Sequence, residues 1–101
     1  MTGQLRLTEG EFGFSHQFIF GTSDDLSWAS VVNLIIQDTE GLDKLNITAN
    51  LTISPNNKIT WNVQSGETDF NGNYDGIFLL TDGGTRQEEI HFKVKLNPTK
   101  V

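Results

Sequence analysis

Apolar and polar residues alternate along much of this chain. In EFGFSHQFIF, Phe12, Phe14, Phe18 and Phe20 share one parity, with His16 among them. LNITANLTI is stricter: Leu45, Ile47, Ala49, Leu51 and Ile53 fall on one side, and Asn46, Thr48, Asn50 and Thr52 on the other. KITWNVQ groups Ile59, Trp61 and Val63; YDGIFLL groups Tyr74, Phe78 and Leu80; EEIHFKVKL groups Ile90, Phe92, Val94 and Leu96. A side-chain period of two marks strands with one face in a core and one in water. The pattern predicts strands over residues 12–20, 28–37, 45–53, 58–64, 73–81 and 86–96. Within 28–37, WASVVNLIIQ is apolar on both parities, which predicts a more central strand.

Turn-forming residues fall between these runs. QDTEGLD and SPNN supply Gly, Pro, Asn and Asp, TDGGT suits a hairpin, and GTSDD links the first aromatic strand to the next. No window carries a helical stripe. Short strands joined by turns, about seven of them, predict an all-β, antiparallel, immunoglobulin-like β-sandwich. At 101 residues, the chain reads as a single domain spanning 1–101, with no linker or repeat.

Composition narrows the chemistry. There is no cysteine, which removes disulfides, thiolate metal sites and cysteine nucleophiles. Thirteen acidic residues against seven basic ones give a net charge of -6, and the basic residues are scattered, so nucleic acid is not an expected partner. No apolar run reaches membrane-spanning length, and MTGQLRLTEG lacks an apolar signal core, so neither a membrane nor an export signal is expected.

The segment NGNYDG most resembles a chemical site. Asn71, Asn73 and Asp75 alternate, Gly76 follows, and Asp82 closes a series close to a calcium loop. Such a loop needs helices on both sides, whereas Tyr74, Gly76, Phe78 and Leu80 continue a strand's parity. The segment reads instead as the tyrosine corner of immunoglobulin-like sandwiches: Asp69 closes the turn, Gly72 takes a positive φ, and Tyr74 begins the strand. The antibody version is excluded, because Gly76 stands where the strand cysteine would follow the tyrosine.

The remaining candidates carry weaker chemistry. His16 and His91 lie on opposite parities, with no ligand-like spacing, and zinc needs three or four converging ligands. Ser15 and His16 are strand neighbours and point to opposite faces. The carboxylate pairs Asp24-Asp25 and Glu88-Glu89 are explained by solvation and edge protection. The sequons Asn46-Ile47-Thr48 and Asn50-Leu51-Thr52 follow from outward positions that alternate Asn and Thr. No catalytic residue, metal site or cofactor is expected.

Three stretches, EGEFGFSHQFIF, DDLSWASVVNLIIQDTEG and ITWNVQSGETDFNGNYDGIFLLTDGG, occur in that order. Together they resemble the immunoglobulin-like N-terminal domain of phage baseplate upper proteins and prophage tail structural proteins. The resemblance runs from about Gly10 to Leu96, through Gly10-Glu11, Asp25-Leu26-Ser27-Trp28-Ala29, Gly66-Glu67-Thr68 and Gly72-Asn73-Tyr74. Glu11 and Glu67 depart from it, each standing where the family carries Asp, which implies longer and looser turn caps. The resemblance implies a non-catalytic structural domain made in the bacterial cytoplasm and resident in the virion. It would dock onto other tail or baseplate subunits, with homo-oligomers possible there. RQEEIHFKVK is expected to be a charge-guarded edge strand, leaving an available edge in the N-terminal half. The alternative is a carbohydrate-binding or adhesion module, for which Trp28 is the residue to watch: exposed beside Asn or Asp it favours sugar, buried it favours the scaffold.

Overall fold

A computed structural model describes residues 4–20, 25–48, 50–53 and 57–98. These residues form β1 (Gln4–Thr8), β2 (Ser15–Ile19), β3 (Val31–Gln37), β4 (Asp43–Ile47), β5 (Leu51–Ile53), β6 (Lys58–Asn62), β7 (Gly72–Thr81) and β8 (Gln87–Asn97). One sheet runs β1-β8-β7-β3-β4 and the other β2-β6-β5. β1 pairs parallel with β8, and the other pairings are antiparallel. The architecture is the all-β, immunoglobulin-like sandwich that the period-two pattern predicts.

Inward residues of both sheets meet in one core. Leu34, Ile36, Ile59, Trp61, Phe78 and Leu80 are fully buried, and Phe18, Val63, Val94 and Leu96 nearly so. Its centre is aromatic. Phe18 meets Phe78 edge-on at 4.7 Å, Phe78 stacks on Phe92 at 5.1 Å, and Phe18 lies 5.3 Å from Phe92. Such pairs contribute about 0.5–1.5 kcal/mol each beyond area burial. In antibody domains a disulfide bridges the two sheets; here Phe18, Phe78 and Phe92 hold them together. Gly76, at the position of the second cysteine, makes room for this. A Cβ there would stand 2.4 Å from the Phe92 ring, so the ring packs flat against bare backbone.

Three expectations are corrected. The strand read over residues 45–53 is two strands in different sheets, β4 and β5. Asn50 turns the chain between them with a φ of 54°, and its amide donates to the Asn62 carbonyl (2.5 Å). Leu45, Ile47, Leu51 and Ile53 all pack against the core. Parity therefore runs unbroken through the switch, and alternation alone hides it. Asn50 is consequently no part of an outward Asn/Thr face, and Ala49 lies outside the described residues. Second, β1 was not expected: QLRLT is short, yet it buries Leu5 and Leu7 with Arg6 outside. Third, the charged strand β8 is not an edge along its second half, because β1 covers Lys93 to Asn97.

Boundaries also move. Residues 12–14 precede β2, and residues 27–30 form a turn before β3. Residues 21–24 of GTSDD, Asp24 included, and residues 54–56 of SPNN lie outside the described residues. TDGGT does close a hairpin, joining β7 to β8.

Candidate functional site

Most residues singled out in the sequence hold loops together. The Tyr74 hydroxyl donates to the Asn71 carbonyl, three residues upstream, and its ring meets Phe70 edge-on at 5.0 Å. Gly72 lies between them with a φ of 120°, and a Cβ there would stand 3.4 Å from the Tyr74 hydroxyl. The positive φ is what calls for glycine, since 3.4 Å is an ordinary contact distance. Asp69 is exposed and accepts no hydrogen bond among the described residues, so the turn closes without it.

The residues after Gly66 do more than their sequence suggests. Gly66 turns with a φ of 91°. Thr68 is buried; its hydroxyl donates to the Glu11 carbonyl (2.6 Å), while the Gly10 N–H donates to the Thr68 carbonyl (2.9 Å). The β1–β2 and β6–β7 connections are thereby tied across 57 residues of chain. Glu67 is not the loose cap expected from its extra methylene. Its Oε1 accepts from the Trp61 indole N–H (3.0 Å), the Asn50 amide (3.0 Å) and the Gln64 N–H (2.8 Å). The longer side chain reaches from the turn to the indole of a buried core residue, which a shorter Asp would not span.

At the other end of the sandwich, Asp25 accepts from the Ser27 N–H (2.9 Å) and hydroxyl (2.6 Å). The Ser27 hydroxyl and N–H hold the Asp25 carboxyl below its ordinary value, with a smaller contribution from Arg86. Leu26 is buried and Ala29 packs against the core, so this turn anchors β3. Trp28 is half-buried against the core, with the Arg86 guanidinium 4.0 Å from its ring centroid and its indole N–H enclosed. That ring face is therefore covered by a cation. Arg86 follows a tight loop in which Asp82 accepts from the N–H groups of Gly84, Thr85 and Arg86 and from the Thr85 hydroxyl. These donors, the Thr85 hydroxyl foremost, depress the Asp82 carboxyl far below the usual range.

The calcium-like series is spread along β7. Asp82 lies seven steps of extended chain beyond Asp75, about 23 Å. Asp75 pairs with Lys93 at 2.6 Å, while Asn71 donates to Glu9 at the far end of the strand. Oxygens so dispersed do not converge on one ion. His16 packs edge-on to Phe18 at 4.7 Å, and burial lowers its pKa. His91 is exposed beside Glu89 at 2.9 Å. Ser15, outward on the same strand as His16, bonds Asn62 at 2.5 Å.

What these local networks leave available is a strand edge. β2 ends its sheet, with no neighbour on its outer side among the described residues. The Val63 N–H donates to the Phe14 carbonyl and the Phe20 N–H to the Asn57 carbonyl, both at 2.8 Å. The backbone groups of 14, 16, 18 and 20 therefore face β6, and the alternation of an antiparallel ladder turns those of Ser15, Gln17 and Ile19 outward. SHQFI contains no Lys, Arg, Asp, Glu or Pro, the residues with which natural edges discourage pairing. Ile19 is 59% exposed, and Phe12, just upstream, 60%. The other edges are guarded differently: β4 by Asp43, Lys44 and a register shift at Ile36/Gln37, β1 by Arg6, the first half of β8 by Glu88 and Glu89, and β5 by its length of three residues. Sequence reasoning placed an available edge in the N-terminal half. The absence of charge in SHQFI is the signal that identifies it.

No family model and no curated protein matches the chain. Among solved structures, it is similar to CopC from Methylosinus trichosporium OB3b. The identity is 12% over 97% of this chain and 87% of that one, with a TM-score of 0.55. It also aligns with the V domain of amphioxus IgVJ-C2, 11% identical over 94% and 99% of the two chains, with a TM-score of 0.31. The first likeness shows a shared β-sandwich fold and nothing about activity; the second is too loose to weigh.

Proposed function

We propose that this is a non-catalytic structural and interaction domain of a phage or prophage tail, made in the bacterial cytoplasm and acting by protein–protein docking within the virion. The observation that carries the docking is the β2 edge, unpaired among the described residues, whose outward N–H and C=O groups fit an added strand from another subunit. The tail assignment rests on the ordered motifs from Gly10 to Leu96. Their residues serve as loop ties, Thr68 to Glu11 and Asp25 to Ser27, as suits a scaffold. Carbohydrate recognition is less well supported, since stacking a sugar on Trp28 requires displacing the Arg86 guanidinium.

Sedimentation at tens of micromolar, alone and with the adjacent tail proteins, tests the reading. The domain alone is expected to be a monomer or weak oligomer, and to form a stable complex only with its tail partner. Ile19→Lys and Gln17→Pro are expected to weaken that complex while leaving the circular dichroism spectrum unchanged. A tight oligomer formed alone would contradict the partner-dependent picture. Binding on a glycan array, with no tail-protein contact, would replace it with the carbohydrate reading.

A further inference from the structure

The outer face of the five-stranded sheet has an apolar centre. On β3 the buried residues are Val32, Leu34 and Ile36, and on β7 they are Gly76, Phe78 and Leu80. The alternate residues therefore point away from the core. Ile35 lies directly across from Ile77, and Leu79 across from Asn33. Val31, at the start of the same row, is 44% exposed. Strand alternation in a half-solvated sheet ordinarily places polar residues at such positions.

At the end of the sheet where Gln37 lies level with Asp75, the charges around this centre are divided by side. Beyond β3, the turn into β4 carries Asp38, Glu40 and Asp43, against the single cation Lys44. On the opposite side, at the same end of the sheet, lie Arg6, Lys93 and Lys95. Their height is fixed by the register, which aligns Gln37 with Asp75, Asp75 with Lys93, and Arg6 with Lys95. Lys93 is partly offset by Asp75, while Lys95 makes no ion pair among the described residues.

We infer that this face pairs with the same face of a second copy of the chain, about a two-fold axis parallel to the strands. Rotation about that axis keeps height along the strands and exchanges the two sides. The acidic β3–β4 turn of each copy is thus laid over the basic β1–β8 side of the other. The apolar centres, Ile35, Ile77 and Leu79, meet near the axis. An axis perpendicular to the strands would reverse height and lose this match, so the charge pattern selects one arrangement. The contact is isologous and closes on itself, as two-fold interfaces do. Five strands spaced about 4.8 Å apart and about 23 Å long offer roughly 450 Å² per copy. That lies toward the small, transient end of specific interfaces. A weak dimer follows, and it uses a surface distinct from the β2 edge.

Sedimentation of the whole chain from about 10 μM to 1 mM tests this, across the weak range expected of a small interface. A concentration-dependent dimer is expected, weakened by high salt. Ile35→Lys should abolish it without changing the thermal melt. Lys95→Glu should weaken it at least tenfold, and Glu40→Lys on the same chain should restore much of the loss, because each copy carries both halves of the contact. A monomer throughout the range would overturn the inference. So would a dimer indifferent to Ile35→Lys but lost in Ile19→Lys, or a charge swap that restores nothing.

Discussion

Replacing Gly76 with alanine adds one methyl group at the centre of the sandwich, and its effect follows from the packing of Phe92 against that backbone. The new Cβ would stand 2.4 Å from Cε2 and Cζ of Phe92 and 2.9 Å from Cδ2. Carbon atoms in contact settle at about 3.5–4.0 Å, so the ring must retreat by roughly 1 Å or more. It has little room, with Phe78 at 5.1 Å and Phe18 at 5.3 Å between ring centroids. Overpacking of a filled core costs about 1–3 kcal/mol, and so close an approach belongs at the upper end. Alanine recovers about 0.5–1 kcal/mol that glycine loses by ordering in a strand. A net loss of about 2 kcal/mol is expected. With a urea slope of about 1–3 kcal/mol per molar, the midpoint should fall by roughly 1 M. Repeating the substitution in a Phe92→Leu background should reduce the loss by more than half, since these residues are in contact and their effects are coupled. An unchanged or higher midpoint for Gly76→Ala would refute the reasoning.

Further expectations concern the loops. Tyr74→Phe should lower stability by about 0.5–1.5 kcal/mol, the net value of one hydrogen bond, with a neutral urea melt showing that the bond to Asn71 contributes nothing. Asp82 has a depressed folded pKa, so its contribution is present above the ordinary value of 3.8 and is lost as pH falls below it; Asp82→Asn should flatten the decline of melting temperature in acid. His16 has a lowered folded pKa, so stability linked to it is complete above 6.5 and falls as pH drops below that value. His16→Gln should remove that part of the pH dependence. Millimolar calcium should leave the thermal melt unmoved, because a ligand specific for the folded state would raise it.

The long C-terminal strands were the most legible part of the fold. Their alternation gave β7 and β8 to within about a residue at each end, because each keeps one face on the core throughout. The switch at Asn50 was not legible, for a physical reason. Leu45, Ile47, Leu51 and Ile53 approach one interior from opposite sheets, and binary pattern records only in or out. Charge on β8 suggested an edge, which holds for Gln87 to Phe92 among the described residues; along Lys93 to Asn97 the same charges suit an outward face on a strand paired along both sides, and only topology separates the two. The ties from Thr68 and Glu67 join residues too far apart in sequence to announce themselves. Gly72 and Tyr74 lie three residues or fewer from the carbonyl at Asn71, so local spacing was enough to pick out that group.

The parallel pairing of β1 with β8 also bears on how the domain carries load. Its ladder runs from Gln4 opposite Lys93 to Thr8 opposite Asn97. Tension applied at Gln4 and Asn97 pulls the two strands along their own axes in opposite directions. The ladder is then sheared, and its bonds resist together. Pulling between Gly72 and Asn97 is different, because Gly72 lies across from Leu96 and the antiparallel ladder would open one pair at a time. Resistance to force is set by the unfolding rate rather than by equilibrium stability. Single-molecule stretching should therefore find a higher rupture force along the first axis than along the second. Tethered by those two ends, the domain would act as a tensile link.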